Sequence, residues 1–331
     1  MLRERIGQGG MGCVFRADQL ALERTVAIKV LHAELVDCPV QTRRIRDEAV
    51  AACRVRGPHC VAVIDYRVLP DGTPYIVMEH VPGRSLARVI AEEPIPLSRA
   101  VDLFEQILGA LAAAHDAGII HADVKSDNFL VERTGGRDHV TLIDFGLARV
   151  AGSPVETDLE GGEVMVSGTP EYMAPEVVVG DPPILASDLY GAGVILYELL
   201  TGATPFGGGT AREIMLRHVR DTVVPPSLRR PDLDIPHALD AVVVRALAKR
   251  PEARFPDAAA FARALRAVDM PAGSARIPLG RDDVATADAP TRTCGTPLPR
   301  RRIARGSDCG IAARIAGLPA QRSARGQQRA G

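Results

Sequence analysis

The spacing of apolar residues changes once along this chain, at Pro82-Gly83, and that change restricts what it can fold into. Before it come short apolar runs of the strand kind: Val26-Ala27-Ile28-Lys29-Val30, Val61-Ala62-Val63-Ile64 and Tyr75-Ile76-Val77-Met78. Asp71-Gly72 suits a hairpin turn ahead of the third run. One helix is expected among them, over residues 41–54, with Ile45, Ala49 and Cys53 on one face. Beyond Pro82-Gly83 the spacing is helical. Ser98 can cap a helix carrying Val101, Phe104, Ile107, Leu108 and Leu111, and Gly118 is placed to end it. A helix from Ser187-Asp188 to Gly202 is apolar nearly all round, which predicts burial. Two more are expected over 236–248 and 257–268. The expectation is an α+β fold of two lobes. A small β-rich lobe spans 1–80, a larger and mainly helical lobe spans 84–268, and a ligand site lies between them.

Composition narrows the class. Hydrophobic residues make up 46% of the 331 and charged residues 24%, enough for a sizeable core. Cys13, Cys38, Cys53, Cys60, Cys294 and Cys309 form no C-x-x-C pair, so they read as inert thiols in a reducing cytosol, and the expected location is cytoplasmic. Met1-Leu2-Arg3-Glu4-Arg5 lacks a signal-peptide pattern, and no segment reaches the roughly 18 apolar residues of a membrane span. No membrane partner is expected. Residues 271–331 hold eleven Arg and four Asp, with no Lys, Glu or aromatic residue. That composition reads as a disordered, solvated tail rather than a nucleic-acid arm.

Of the 40 basic residues only Lys29, Lys125 and Lys249 are lysine. Where charge alone is wanted the chain uses Arg, so a retained Lys points to a need for a compact ammonium. Two of the three lie in motifs. Gly7-Gln8-Gly9-Gly10-Met11-Gly12 fits G-x-G-x-x-G. Dinucleotide-binding folds share this spacing, but there it opens a helix, whereas Cys13-Val14-Phe15-Arg16-Ala17 suits a strand. A glycine hairpin whose backbone N–H groups approach phosphates fits better. In Val26-Ala27-Ile28-Lys29, alternation puts Lys29 on the side of Ala27, where an ammonium could hold phosphates with Glu48 of the expected helix to position it. His121-Ala122-Asp123-Val124-Lys125-Ser126-Asp127-Asn128 follows a helix. In it Asp123 can orient or deprotonate a hydroxyl, Lys125 can neutralise a transferring phosphoryl group, and Asn128 can ligate a metal. Leu142-Ile143-Asp144-Phe145-Gly146 ends a strand with an acid that can hold Mg²⁺. Each motif alone also fits an ordinary turn or polar loop.

Their succession, closed by Ala174-Pro175-Glu176, is that of protein kinases. The chain resembles the eukaryotic-like (Hanks-type) serine/threonine protein kinases of bacteria. Gly9-Gly10-Met11-Gly12 is similar to that subgroup, and Gly168-Thr169-Pro170-Glu171-Tyr172-Met173-Ala174-Pro175-Glu176 is similar to serine/threonine rather than tyrosine kinases. The resemblance covers residues 1–268 as a kinase domain. It implies phosphoryl transfer from ATP, with Mg²⁺ or alternatively Mn²⁺, to Ser and Thr hydroxyls of proteins, and self-association for autophosphorylation. It also implies roles. Ile6, Gly7, Gln8, Gly9, Gly10, Met11 and Gly12 would cover the nucleotide, and Val14, Ala27 and Leu130 would sandwich adenine. Met78 would back the adenine pocket, and Glu79 and Val81 would offer it backbone hydrogen bonds. Asp123, Lys125, Asn128 and Thr169 would be catalytic, with Asn128 and Asp144 holding metal. His121, Phe145, Gly146, Asp188 and the Glu176–Arg254 pair would be structural.

Three departures stand out. Ala122 replaces the usual Arg, Ser126-Asp127 replaces the common Pro-Glu, and only six residues precede Gly7, so the first strand reads as clipped. Ser153, Thr157 and Ser167 are candidate phosphosites, and Arg149 is a candidate to replace the missing Arg as their partner. Two other readings compete: a pseudokinase scaffold, and a small-molecule phosphotransferase of related fold. The first should have lost Lys29, Asp123, Asn128 or Asp144, and all four are present. The second does not call for a peptide platform like 168–176.

Overall fold

A computed structural model describes residues 1–10, 12–150 and 168–269. Met11, the candidate phosphosites Ser153, Thr157 and Ser167, and the tail 271–331 lie outside the described residues. The N-terminal lobe is built on strands β1 (Leu2–Gln8), β2 (Gly12–Gln19) and β3 (Arg24–Leu31), helix α1 (Pro39–Arg54), and strands β4 (Val63–Val68) and β5 (Pro74–Glu79). The strands form one antiparallel sheet in the order β1-β2-β3-β5-β4.

Alternation along β3 decides what each face does. Val26, Ile28 and Val30 pack with Cys13, Phe15 and Tyr75 in a cluster on one face. Ala27 and Leu31 join the main core on the other, with Ile45 and Ala49 of α1. Lys29 shares the Ala27 side, which turns it toward α1. The glycine motif is a β1–β2 hairpin, with Gly7 paired to Val14 and Gln8 to Cys13. Gly9 N–H closes the turn onto Gly12 O at 2.9 Å. A Cβ on Gly12 would fall 2.1 Å from Val30 O, so the approach of β2 to β3 there requires glycine.

The second lobe begins with a two-residue strand β6 (Arg84–Ser85) and helix α2 (Leu86–Glu92), capped by Ser85 Oγ accepting Arg88 N–H. Helix α3 (Leu97–Asp116) follows, then strands β7 (Ile119–Ile120), β8 (Phe129–Thr134), β9 (Arg137–Leu142) and β10 (Arg149–Val150). Sheets β6-β8-β9 and β7-β10 frame the loop 121–128. Helices α4 (Pro175–Val178), α5 (Leu185–Thr201), α6 (Ala211–Arg220), α7 (Pro226–Arg229), α8 (His237–Ala246) and α9 (Ala258–Arg266) complete the lobe. Helix α5 is buried along nearly its whole length, as its composition predicts, and Gly202 ends it with φ 80°. Helix α3 begins earlier than expected. Its N-cap is Pro96, not Ser98, because Leu97 and Ala100 are drawn into the core and extend the apolar face by two residues.

The third lysine has a structural role. Lys249 Nζ donates to His218 O at 2.7 Å, near the C-terminal end of α6, and stands 4.4 Å over the Phe206 ring. An ammonium suits exposed helix-end carbonyls and an aromatic face together.

Candidate active site

The sheet and α1 bring the first charged group together. Lys29 Nζ lies 2.7 Å from Glu48 Oε1 and 3.0 Å from Asp144 Oδ1, joining β3, α1 and the end of the β9 segment. Burial opposes the Lys29 charge, but the carboxylates of Asp144 and Glu48 outweigh it and hold its pKa above the ordinary value. Burial also raises Glu48, and the Lys29 charge acts against that rise. For Asp144, burial acts upward, yet Lys29 and the Gly146 N–H, 2.9 Å from Oδ1, keep the carboxyl well below the usual carboxylate range. Lys29 is therefore an ammonium and Asp144 a carboxylate at neutral pH.

The loop 121–128 supplies the second group. Lys125 Nζ is 2.7 Å from Asp123 Oδ2 and donates to Thr169 Oγ1 at 2.9 Å. Thr169 in turn donates to Asp123 Oδ1 at 3.2 Å. Asn128 Nδ2 donates to Asp123 O at 2.8 Å, which leaves its amide oxygen available. Ile143 N–H donates to Asn128 O, so the strand leading to Asp144 is tied to this loop.

The loop is held from inside by α5. Asp188, 1% exposed, accepts the N–H groups of His121 and Ala122, both at 2.8 Å, and pairs with His115 Nε2 at 2.9 Å. Ala122 has φ 63°, a left-handed conformation unusual for a residue with a Cβ. The buried ring of His121 stacks tilted against Phe145, with centroids 5.4 Å apart. At the base of segment 168–176, Glu176 meets Arg254 through two hydrogen bonds, of 2.7 and 2.6 Å. Ser187 Oγ also donates to Glu176, at 2.6 Å.

The remaining residues named from sequence take these places in the fold. Met78 on β5 pairs with Ala27 on β3, and Val14 on β2 pairs with Lys29. Val14 and Val81 are partly buried against the main core. Leu130, the second residue of β8, pairs with Ser85. Glu79 uses its side chain locally, accepting Ala62 N–H at 2.7 Å. Ile6 lies on β1 and is 47% exposed.

Sequence reasoning gave no role to His115, Ser126, Tyr172, Ser187 or Glu198. All of them bond into the frame around the loop 121–128. One signal was present: Glu198 is, with Asp188, one of two acids in an otherwise apolar helix, and such a carboxyl needs polar partners.

Comparison with known proteins agrees with this geometry. The family described as protein kinase domain matches residues 1–264. The chain is 38% identical over 301 residues to serine/threonine-protein kinase pkn3 of Myxococcus xanthus, covering 90% of this chain and 54% of that protein. It is 39% identical over 267 residues to Pkn1 of the same organism, covering 80% of this chain and 37% of that one. It is 40% identical over 262 residues to PknB of Mycobacterium tuberculosis, covering 78% and 41%. The chain thus spans about half the length, or less, of these relatives.

Proposed function

Because the chain belongs to the protein kinase family, we propose that it transfers the γ-phosphoryl group of Mg·ATP to Ser and Thr hydroxyls of proteins, including its own. The observation that carries this reading is the convergence of Lys29, Glu48 and Asp144 on one side with Asp123, Lys125, Asn128 and Thr169 on the other.

Each residue has a task that its contacts suit. Lys29, steadied by Glu48, binds the nucleotide phosphates from the floor of the β-lobe. The glycine hairpin, with Gly7, Gly9, Gly10 and Gly12, covers them with backbone N–H groups. Ala27, Val14, Met78 and Leu130 enclose the base, and the backbone at Glu79 and Val81 hydrogen-bonds it. Asp123 orients the acceptor hydroxyl and takes its proton, and Lys125 offsets charge on the phosphoryl oxygens. Thr169, bonded to both, adapts the site to Ser and Thr acceptors. A divalent ion fits the donor set: the free amide oxygen of Asn128 and the ionised carboxyl of Asp144 are hard oxygen ligands. Mg²⁺, or Mn²⁺ in its place, would supply electrostatic neutralisation of the phosphates.

Among the described residues no helix is long and apolar enough to cross a membrane. In this reading the kinase segment acts on cytoplasmic protein substrates in signalling, with self-association during autophosphorylation. The discriminating experiment is transfer of labelled phosphate from Mg·ATP to casein and to the chain itself, against transfer to small alcohols such as choline. Label on protein supports the reading. Label on the alcohol alone returns it to the small-molecule phosphotransferases, and ATP binding without transfer makes it a pseudokinase.

A further inference from the structure

Ser126 sits between Lys125 and Asn128 with its side chain fully buried. Its Oγ is 2.8 Å from Tyr172 Oη, 46 residues away in sequence. Tyr172 donates to Glu198 Oε2, also at 2.8 Å. The chain of groups joins three separate segments: the loop 121–128, the segment 168–176 and helix α5. An ionised carboxylate only accepts, so when Glu198 is charged the Tyr172 proton points to it. The phenol oxygen is then left to accept from Ser126. A proline, the residue common at this position in the resembling family, has no hydroxyl to offer there.

The consequence lies in how the segment 168–176 is held. Thr169 attaches it to Asp123 and Lys125 at one point. Glu176 holds its far end to Arg254, and Tyr172, three residues on from Thr169, adds a tie to the loop 121–128 that limits rotation between these two ends. We propose that Ser126 is a positioning residue: with Tyr172, and through Glu198, it holds the acceptor-binding segment in register with Asp123. Acceptor geometry is sensitive to such a constraint, since a displacement of about 1 Å can cost about a hundredfold in rate. Nucleotide binding, from Lys29 and the glycine hairpin, does not depend on it.

This inference rests on the protein-kinase reading, and the test separates the two. The 331-residue chain is assayed on casein as wild type, Ser126→Ala, Ser126→Thr, Tyr172→Phe and the Ser126→Ala/Tyr172→Phe double variant. Ser126→Ala should lower kcat for casein about tenfold, with the KM for ATP and the melting temperature nearly unchanged. Ser126→Thr, which keeps the hydroxyl, should recover most of the rate. The double variant should fall no further than the worse single one, because both remove one linkage. Equal rates in Ser126→Ala and wild type, or additive losses in the double variant, would overturn the proposal. So would a failure of Ser126→Thr to recover activity while folded. If a Tyr172 variant does not fold, the Ser126→Ala and Ser126→Thr comparison decides alone. A wild-type chain that labels no protein refutes the kinase reading instead.

Discussion

Asp188 Oδ1 accepts the backbone N–H of Ala122 at 2.8 Å, and Ala122 carries one of the two positive φ values found among described non-glycine residues. The two facts are linked. A left-handed alanine costs roughly 1–2 kcal/mol, and the carboxylate that receives its N–H, with that of His121, keeps the turn from relaxing.

The strain at Ala122 predicts an order of stabilities. Ala122→Gly should leave stability within about 1 kcal/mol of wild type, since glycine accepts φ 63° without a Cβ clash. Ala122→Val should lose more, because β-branched residues avoid this region. Asp188→Ala should cost about 3–5 kcal/mol, leaving the buried His121 N–H and the part-buried Ala122 N–H without acceptors. Urea denaturation measures all three. A valine variant as stable as the glycine one would contradict the conformational argument.

Arg254 uses every N–H it has. Nη1 donates to Glu176 Oε1 and Ala186 O, Nη2 to Glu176 Oε2 and Lys249 O, and Nε to Ala248 O. Lysine has three donors on one atom and cannot reach these acceptors in their planar arrangement. Arg254→Lys should therefore destabilise the protein by about 3 kcal/mol or more despite conserving charge. A melting temperature equal to wild type would mean that the charge alone suffices.

His218 predicts an acid limit. Its Nδ1 faces the Tyr190 hydroxyl at 2.8 Å, and burial, helped by the Lys249 charge, lowers its pKa from 6.5 to about 4. The unfolded chain therefore takes up a proton below pH 6.5 that the folded chain refuses down to about 4. The stability contributed by the neutral ring is complete above 6.5 and lost as pH falls through that window, up to ~3 kcal/mol in all. His218→Asn keeps an acceptor near the Nδ1 position but cannot titrate. From about pH 7.5 to about pH 5, wild type should lose more stability than His218→Asn. Equal losses would assign acid sensitivity elsewhere.

Much of this site could be read from local pattern. The alternation in Val26-Ala27-Ile28-Lys29 gave the face of Lys29, and the helix expected over 257–268 is α9, capped by Asp257, whose Oδ1 accepts Ala260 N–H at 2.6 Å. Helix α6 was overlooked although Thr210 and Glu213 form a capping box, because the helix is short and its Ile214, Met215, Leu216 and Val219 are interspersed with Arg217, His218 and Arg220. The role of Ser126 was not legible. In sequence it is a mild replacement in a polar loop, and its partners are brought to it only by tertiary folding.

Ala122 also bears on control. An arginine there would place a cation beside Asp123 for a phosphorylated activation segment to neutralise, and alanine offers none. Activity without that phosphorylation is therefore the expected outcome. A Ser153→Ala/Thr157→Ala/Ser167→Ala variant, and phosphatase-treated wild type, should retain most of the rate on casein. Loss of most of the rate in either folded sample would show that another basic residue reads a phosphate, with Arg149 the first to test.

The central claim is that Lys29 and Asp144 hold the phosphoryl donor in place while Asp123 directs the acceptor hydroxyl. Its most direct measurement is transfer of labelled phosphate from Mg·ATP to casein by wild type and by Lys29→Arg, Asp123→Asn and Asp144→Asn. Wild type should label casein. Lys29→Arg should fail because a planar guanidinium does not fit the slot between Glu48 and Asp144. The two Asn variants should lose activity by about two orders of magnitude or more while staying folded. Near wild-type transfer by Asp144→Asn would contradict the account.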